Sequence, residues 1–169
     1  MNRLWAPWRE GYLSKIDRKH QSCVFCRIMV DSRHDKEHLV FIRKAHSFAV
    51  LNLYPYSNGH CLILPNRHVS DISKLPKAEY VEVMELLIEA KGLIDEVYKP
   101  HGFNVGINLG RLAGAGIPGH VHIHLVPRWK GDHNFMAVTA QTKVISQSIT
   151  GIYKKLSDAY KKRNRSIRK

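Results

Sequence analysis

Two periodic hydrophobic patterns alternate along the chain and separate strands from helices. The β-rich runs EHLVFIRK and HSFAVLNL are joined by a tight polar link, which predicts a hairpin. The turn-forming cluster YPYSNG follows, and the apolar run HCLILP after it predicts a third strand that ends at Pro65. The first part of the chain is therefore expected to build antiparallel strands.

The pattern then changes to a helical period. From Pro76 to Lys99, apolar residues recur at spacings of three and four, which predicts a long helix. The runs FNVGINL and HVHIHLVP predict two further strands, and a final helix is expected from about Thr142 to Lys162. A short helix is expected from Val24 to Met29.

The order of these elements, β-β-β-α-β-β-α, indicates the fold class. Strands that come in a cluster with one interrupting helix are typical of an α+β protein. We therefore predict an antiparallel sheet of about five strands with packed helices. The chain of 169 residues suits one domain, with residues 1–22 as an N-terminal extension and 142–169 as a C-terminal helix and basic tail.

Composition excludes several classes of protein. The chain contains no apolar run near the roughly 20 residues that a membrane helix needs, so we expect no membrane partner. The start, MNRLWAPWREGYL, has no long apolar stretch or small-residue cleavage site, which favours a cytoplasmic location. Three cysteines are too few for a disulfide framework.

The charge is strongly positive and unevenly distributed. Lys and Arg number 27 against 14 Asp and Glu, and the last 16 residues contain eight basic side chains and one acidic one. Such a run is compatible with a solvated helix end, since cations suit a helix C-terminus. It is also compatible with contact to nucleic acid or another polyanion.

The segment HVHIHLV, residues 120–126, has three histidines at alternate positions and is the strongest indication of function. If the whole segment is a strand, His120, His122 and His124 share one face and the intervening apolar residues share the other. Three imidazoles in register are hard to explain structurally, because each needs hydrogen-bond partners when it is buried. Metal binding and nucleophilic catalysis are the two chemistries that use such a face.

The loop RLAGAGIPG immediately precedes these histidines and indicates what they act on. Its small residues from Ala113 to Gly116 let backbone amides approach a ligand closely. Backbone amides in such a loop suit phosphate oxygens. A phosphate cradle beside a histidine nucleophile favours nucleotidyl transfer.

The sequence resembles the histidine-triad family of nucleotide hydrolases and transferases, whose signature is His-φ-His-φ-His-φ-φ. The segments in family order are CVFC, NGHCLILPNRH and HVHIHLVPRW. Three further segments are similar to the bacterial branch that contains diadenosine tetraphosphate phosphorylases: LWAPWR, FNVGINLG and PRWKGDHNF. The resemblance implies a two-fold dimer whose sheets join.

The resemblance also implies the catalytic residues, namely His60, His120, His122 and His124. The middle histidine, His122, would be the nucleophile that attacks the α-phosphorus. His124 and His60 would contact phosphate oxygens or the bridging oxygen. The galactose-1-phosphate uridylyltransferase branch has glutamine at the third position, so His124 argues against that activity.

Substrate-binding residues follow from the same resemblance. Asn52 would contact the ribose, while Val24 and Phe25 would hold the base or simply pack in the core. Asn108 matches an amide near the phosphates. Many relatives have a serine, threonine or glutamine in the loop before the triad. Here Ala115 and Gly116 would offer only backbone donors there.

The pair Cys23 and Cys26 has a C-x-x-C spacing, which by itself is a weak signal. A redox motif would require a thioredoxin-like βαβ setting, which the pattern does not predict. The resemblance implies that His68 and His120 complete a Cys2His2 set for a structural zinc, with unliganded thiols as the alternative. Cys61 is expected to pack in the core.

Together these features predict a nucleotidyl hydrolase or transferase. It would cleave dinucleoside polyphosphates, diadenosine tetraphosphate by preference, through a nucleotidyl-histidine that phosphate or water resolves. The alternatives are a hydrolase of nucleoside phosphoramidates or of adenylated nucleic-acid ends, which the basic tail would suit. A zinc-bearing nucleic-acid-binding protein is the non-enzyme alternative, but it does not account for His122 and His124.

Overall fold

The computed structural model describes residues 23–132 and 145–167. Nine elements run in chain order through these residues: α1 (Val24–Val30), α2 (Asp35–His38), β1 (Val40–Arg43), β2 (Ser47–Leu51), β3 (Cys61–Pro65), α3 (Lys77–Tyr98), β4 (Gly102–Ile107), β5 (Ile123–Arg128) and α4 (Ile149–Ile167). Short 3-10 turns lie at Ser32–His34, Ile72–Lys74 and Arg111–Ala113. The predicted α+β class and element order are confirmed.

The five strands form one antiparallel sheet in the order β1-β2-β3-β5-β4. The predicted hairpin is the β1–β2 pair, in which Arg43 lies opposite Phe48. β3 pairs with β5 so that Leu62 lies opposite His124, and this pairing brings the third strand to the histidine segment. β4 pairs with the outer side of β5 and ends the sheet.

The core lies between the sheet and the helices α3 and α4. The strands β2 and β3 are buried at every position, which explains why their sequences are mostly apolar and do not alternate between apolar and polar residues. α3 supplies the buried face Val83, Leu86, Leu87, Ala90, Leu93 and Ile94. It ends at Tyr98, and the left-handed backbone of Lys99 caps the last turn before Pro100. Cys61 is fully buried, as expected of a core residue.

The triad strand is shorter than predicted. β5 begins at Ile123, so His120 and His122 precede the strand. The backbone of this segment forms hydrogen bonds outside the sheet. His120 N–H donates to the Ile117 carbonyl, and Val121 N–H donates to the Val69 carbonyl at 2.7 Å. The predicted strand is therefore wrong for residues 120–122 and confirmed from Ile123 onwards.

The last helix begins later than the pattern predicts. α4 begins at Ile149, where the Ile152 amide bonds to the Ser148 carbonyl, and it continues to Ile167. Residues 145–148 are not helical, and 142–144 lie outside the described residues, as do 1–22 with the segment LWAPWR and the end of PRWKGDHNF. None of the described helices combines the length and apolar character needed to cross a bilayer.

Candidate active site

His122 is buried and its orientation is fixed by the backbone. Its Nδ1 lies 2.9 Å from the carbonyl oxygen of His120. A carbonyl oxygen can only accept, so Nδ1 carries the proton and the other ring nitrogen, Nε2, keeps its lone pair. Burial lowers the pKa of His122 below its ordinary value, although the hydrogen bond opposes this change. The ring is therefore a neutral imidazole with a nucleophilic Nε2.

His124 and His60 form a second pair beside it. His60 Nε2 lies 3.0 Å from His124 Nδ1, across the β3–β5 pairing. The ring centroids of His122 and His124 are 5.0 Å apart. Three histidines thus lie within reach of one small ligand group: His124 in β5, and His60 and His122 just before β3 and β5.

The turn before β3 places His60 in this group. Gly59 adopts a positive φ of 75°, a conformation that favours glycine because it has no Cβ. Ser57 donates its hydroxyl proton to the Pro127 carbonyl at 2.6 Å, which fastens the turn to β5. His60 is buried at the start of β3 as a result.

The first triad histidine belongs to a different cluster. Ligand atoms of Cys23, Cys26, His68 and His120 all lie within 4.8 Å of one another. The Cys23 Sγ and Cys26 Sγ atoms lie 3.5 and 3.6 Å from His120 Nδ1, and Cys26 Sγ lies 3.3 Å from His68 Nδ1. Tetrahedral zinc with ordinary bond lengths separates its sulfur and nitrogen ligands by about 3.6 Å. The cluster therefore fits zinc.

The protonation of His120 also suits a metal ligand. Its Nε2 donates to the Pro65 carbonyl at 2.9 Å, which leaves the lone pair of Nδ1 directed at the two sulfurs. Burial lowers the pKa of His120 to about 4, so the ring is neutral. Burial and the neighbouring Cys23 raise the pKa of Cys26, an effect that a bound cation would reverse by favouring the thiolate.

Gly119 makes room for the fourth member of the cluster. A Cβ at this position would lie 3.4 Å from Nε2 of His68 and 3.5 Å from its Cε1. The imidazole of His68 consequently packs directly on the backbone that leads into His120. Although His68 is exposed, its ring centroid lies 5.3 Å from that of His120.

The residues expected to bind the nucleoside surround the histidines only in part. Phe25 is buried, and its ring centroid lies 5.3 Å from that of His122. Asn52 Nδ2 lies 3.4 Å from both ring nitrogens of His60. Val24 is half-buried beside the core.

The loop residues have a different setting. Asn108 Nδ2 donates to the Gly114 carbonyl at 3.4 Å, so its amide lies against the loop. Ala115 is buried and its amide bonds back to Gly110 at 3.4 Å, while Gly116 is half-buried. Of the two expected backbone donors, the Ala115 amide is thus already engaged within the loop.

Sequence reasoning missed two contributors to the site. Tyr56 stacks on His60 with centroids 4.7 Å apart, and Arg43 bonds the carbonyls of Ile28 and Met29 at the end of α1. Tyr56 lies in the cluster YPYSNG, which indicated only a turn. Nothing in the sequence signalled its contact with His60.

Comparison with known proteins gives consistent relatives. The family model of the HIT domain matches residues 33–131. The chain is 41% identical over 152 residues to an AP-4-A phosphorylase of Mycobacterium tuberculosis. The aligned region covers 87% of this chain and 78% of the relative. It is 36% identical over 93 residues to the asymmetrical bis(5'-nucleosyl)-tetraphosphatase of Schizosaccharomyces pombe, covering 55% and 50% of the two chains.

A solved structure has the same fold. The zinc-bound histidine triad family protein from Mycobacterium smegmatis superposes with a TM-score of 0.68. The match covers 86% of this chain and 97% of that protein at 23% sequence identity. At this identity the likeness concerns the fold alone, which agrees with the five-stranded sheet described above.

Proposed function

The chain belongs to the histidine-triad (HIT) family, and we propose that it cleaves dinucleoside polyphosphates, diadenosine tetraphosphate by preference, at the α-phosphate. The orientation of His122 is the observation that carries this proposal. Its Nδ1 proton is held by a backbone carbonyl, so Nε2 presents a lone pair beside His124. The names of the phosphorylase and tetraphosphatase relatives support the same substrate class.

In the proposed reaction, His122 Nε2 attacks the α-phosphorus. A nitrogen–phosphorus bond forms while the bond to the bridging oxygen breaks, and that oxygen leaves with its electron pair as part of the polyphosphate. The ring becomes cationic, and the His120 carbonyl stabilises the charge at Nδ1–H. Water or inorganic phosphate then attacks the same phosphorus and releases His122 as a neutral imidazole.

His124 and His60 would stabilise the charge that develops on the phosphate. Such catalysis depends mainly on positioning and on hydrogen-bond donors held in place before the reaction. The 3.0 Å contact between the two rings supports this role, because each ring restrains the other. His120 would act through its carbonyl on His122 rather than on the substrate.

The nucleoside would lie on the Phe25 side of His122. Phe25 and Val24 would hold the base, and Asn52 would contact the ribose. Asn108, Ala115 and Gly116 would border the phosphates. The 5.3 Å separation of the Phe25 and His122 rings supports a base bound close to the nucleophile. We also propose that the chain is a single HIT domain with short terminal segments.

We further propose that Cys23, Cys26, His68 and His120 hold one structural zinc ion. The mutual distances of their ligand atoms and the fixed tautomer of His120 support it. When bound, zinc would supply no chemistry to the reaction, since four protein ligands leave no open position. It would tie α1 and the His68 loop to the backbone that orients His122.

Two broader proposals concern the setting of the enzyme. A dimer would form through β4, which ends the sheet and exposes about half of Val105 (52%). Val105→Lys should then yield a monomer by light scattering, and a wild-type monomer at micromolar concentration would refute the dimer. The cysteines are unpaired, which is consistent with our proposal of a cytoplasmic enzyme.

The basic tail supports a second candidate substrate, the adenylated end of a nucleic acid. Lys161, Lys162 and Arg165 are exposed on α4, whose apolar residues Ile152 and Leu156 are buried in the core. This basic face is available to a phosphate backbone. It would favour nucleic-acid substrates only if binding weakens steeply with added salt.

The direct test is incubation of the native protein with diadenosine tetraphosphate, with and without inorganic phosphate. Chromatography should show AMP and ATP if water resolves the intermediate, or ADP and ATP if phosphate does. The variant His122→Asn provides the matched control and should form neither product pair. If the native protein leaves diadenosine tetraphosphate intact in both conditions, the proposed substrate is wrong.

A further inference from the structure

Tyr56 makes more contacts with the histidines than its place in a turn requires. Its ring is stacked on His60, with centroids 4.7 Å apart and planes inclined by 28°. It also lies nearly parallel to His124, at 6.1 Å and 19°. Its backbone N–H donates to His60 Nδ1 at 3.0 Å. Tyr56 thus contacts both the ring face of His60 and its Nδ1.

The hydrogen bonds follow one direction. Because His60 Nδ1 accepts from the Tyr56 amide, the single proton of the neutral ring must be on Nε2. Nε2 then donates to Nδ1 of His124, 3.0 Å away, which puts the proton of His124 on its own Nε2. Asn52 Nδ2 is equidistant from both nitrogens of His60, so it does not select between them.

We propose that Tyr56 is a positioning residue that fixes, through His60, the plane of His124 and the nitrogen on which its proton lies. His124 Nε2–H then donates a hydrogen bond to the departing oxygen as the bond to phosphorus breaks. The proton stays on nitrogen, and the oxygen keeps the electron pair. This inference rests on the proposed function.

The contact is suited to a test because Tyr56 is 39% exposed and does not belong to the core. Tyr56→Phe keeps the ring and the backbone amide. Tyr56→Leu and Tyr56→Met remove the planar ring, and the methionine variant serves if the leucine variant does not fold. Tyr80→Leu, which removes a comparably exposed tyrosine from α3, is the matched control.

The readout is the dependence of rate on the leaving group. Two adenosine 5'-monophosphate esters serve as probes, one with 4-nitrophenol and one with unsubstituted phenol as leaving group. A hydrogen bond to the departing oxygen matters most for phenol, because more charge develops on that oxygen. Loss of the ring should lower kcat/KM for the phenyl ester by about tenfold or more, the usual effect of losing a hydrogen bond to a charged group.

For the 4-nitrophenyl ester the same variants should stay within about threefold of wild type, since its leaving group needs little help. Tyr56→Phe and Tyr80→Leu should match wild type on both esters. An equal loss on both esters, or a selective loss in Tyr56→Phe, would overturn the positioning role. If the wild type cleaves neither ester but does cleave diadenosine tetraphosphate, this inference alone fails. If it cleaves none of the three, the proposed function fails with it.

Discussion

Removal of the metal site should destabilise the fold without abolishing it. Cys23→Ser combined with Cys26→Ser deletes both sulfur ligands. The proposed zinc joins segments that are far apart in sequence, since Cys26 and His68 are separated by 42 positions and Cys23 and His120 by 97. The sheet and α3 keep their own buried core, so the variant should still fold.

The size of the effect follows from ligand linkage. A metal present at a thousand times its dissociation constant stabilises the native state by about 4 kcal/mol. For a chain of this length, that free energy corresponds to a fall in Tm of roughly 8–16 °C. Activity should fall as well, because the carbonyl of His120 holds the Nδ1 proton of His122.

The assay compares thermal unfolding with and without a chelator and measures metal content by mass spectrometry. Wild type should contain about one zinc per chain, and chelation should lower its Tm towards that of the double variant. Cys61→Ala removes a buried thiol outside the cluster, so it should cost about 1 kcal/mol yet keep the chelator response. A wild type without bound metal, or a chelator shift that the double variant shares, would refute the site.

Three other changes probe the nucleophile, the tail and the turn. His122→Ala should lower kcat at least about a thousandfold while Tm stays close to wild type, and activity within about tenfold would exclude His122 as the nucleophile. Deletion of residues 161–169 removes six basic side chains, yet diadenosine tetraphosphate turnover should change less than about twofold at physiological salt, where charges beyond about 8 Å are screened. The association rate should fall at low salt, and loss of activity at both salts would place the tail in the site. Gly59→Ala should cost about 1–2 kcal/mol in chemical unfolding because φ is 75° there, and an unchanged midpoint would contradict that backbone strain.

The sequence pattern predicted the sheet, the order of the elements and α3 because each of these depends on local periodicity. It failed at His120 and His122 because the Val121 amide between them bonds outside the sheet. The Val121 amide bonds to Val69, more than fifty positions earlier, and no periodic pattern records such a partner. α4 begins later than predicted because Ile145 continues the helical spacing of Ile149, Ile152 and Leu156, although residues 145–148 are not helical.

The residues of the candidate site and their two groups were predictable from the sequence, but the contacts that orient the rings were not. The resemblance gave His120 both a catalytic place and a place in the metal set, and the geometry puts its ring among the cysteines and only its carbonyl at His122. Tyr56 could not be predicted because its effect depends on a ring plane and a backbone amide, neither of which follows from a turn-forming sequence.

The covalent intermediate tests the central claim most directly. The native protein is mixed with diadenosine tetraphosphate, quenched within milliseconds at alkaline pH, which spares a nitrogen–phosphorus bond, and digested with trypsin for fragmentation mass spectrometry. We predict one adenylyl group on His122 in the peptide that covers 112–128, its absence in His122→Asn, and its presence in His124→Asn, where only the rate should fall. Turnover with the adenylyl group on another residue, or with no covalent adduct in a single-turnover experiment, would contradict the account.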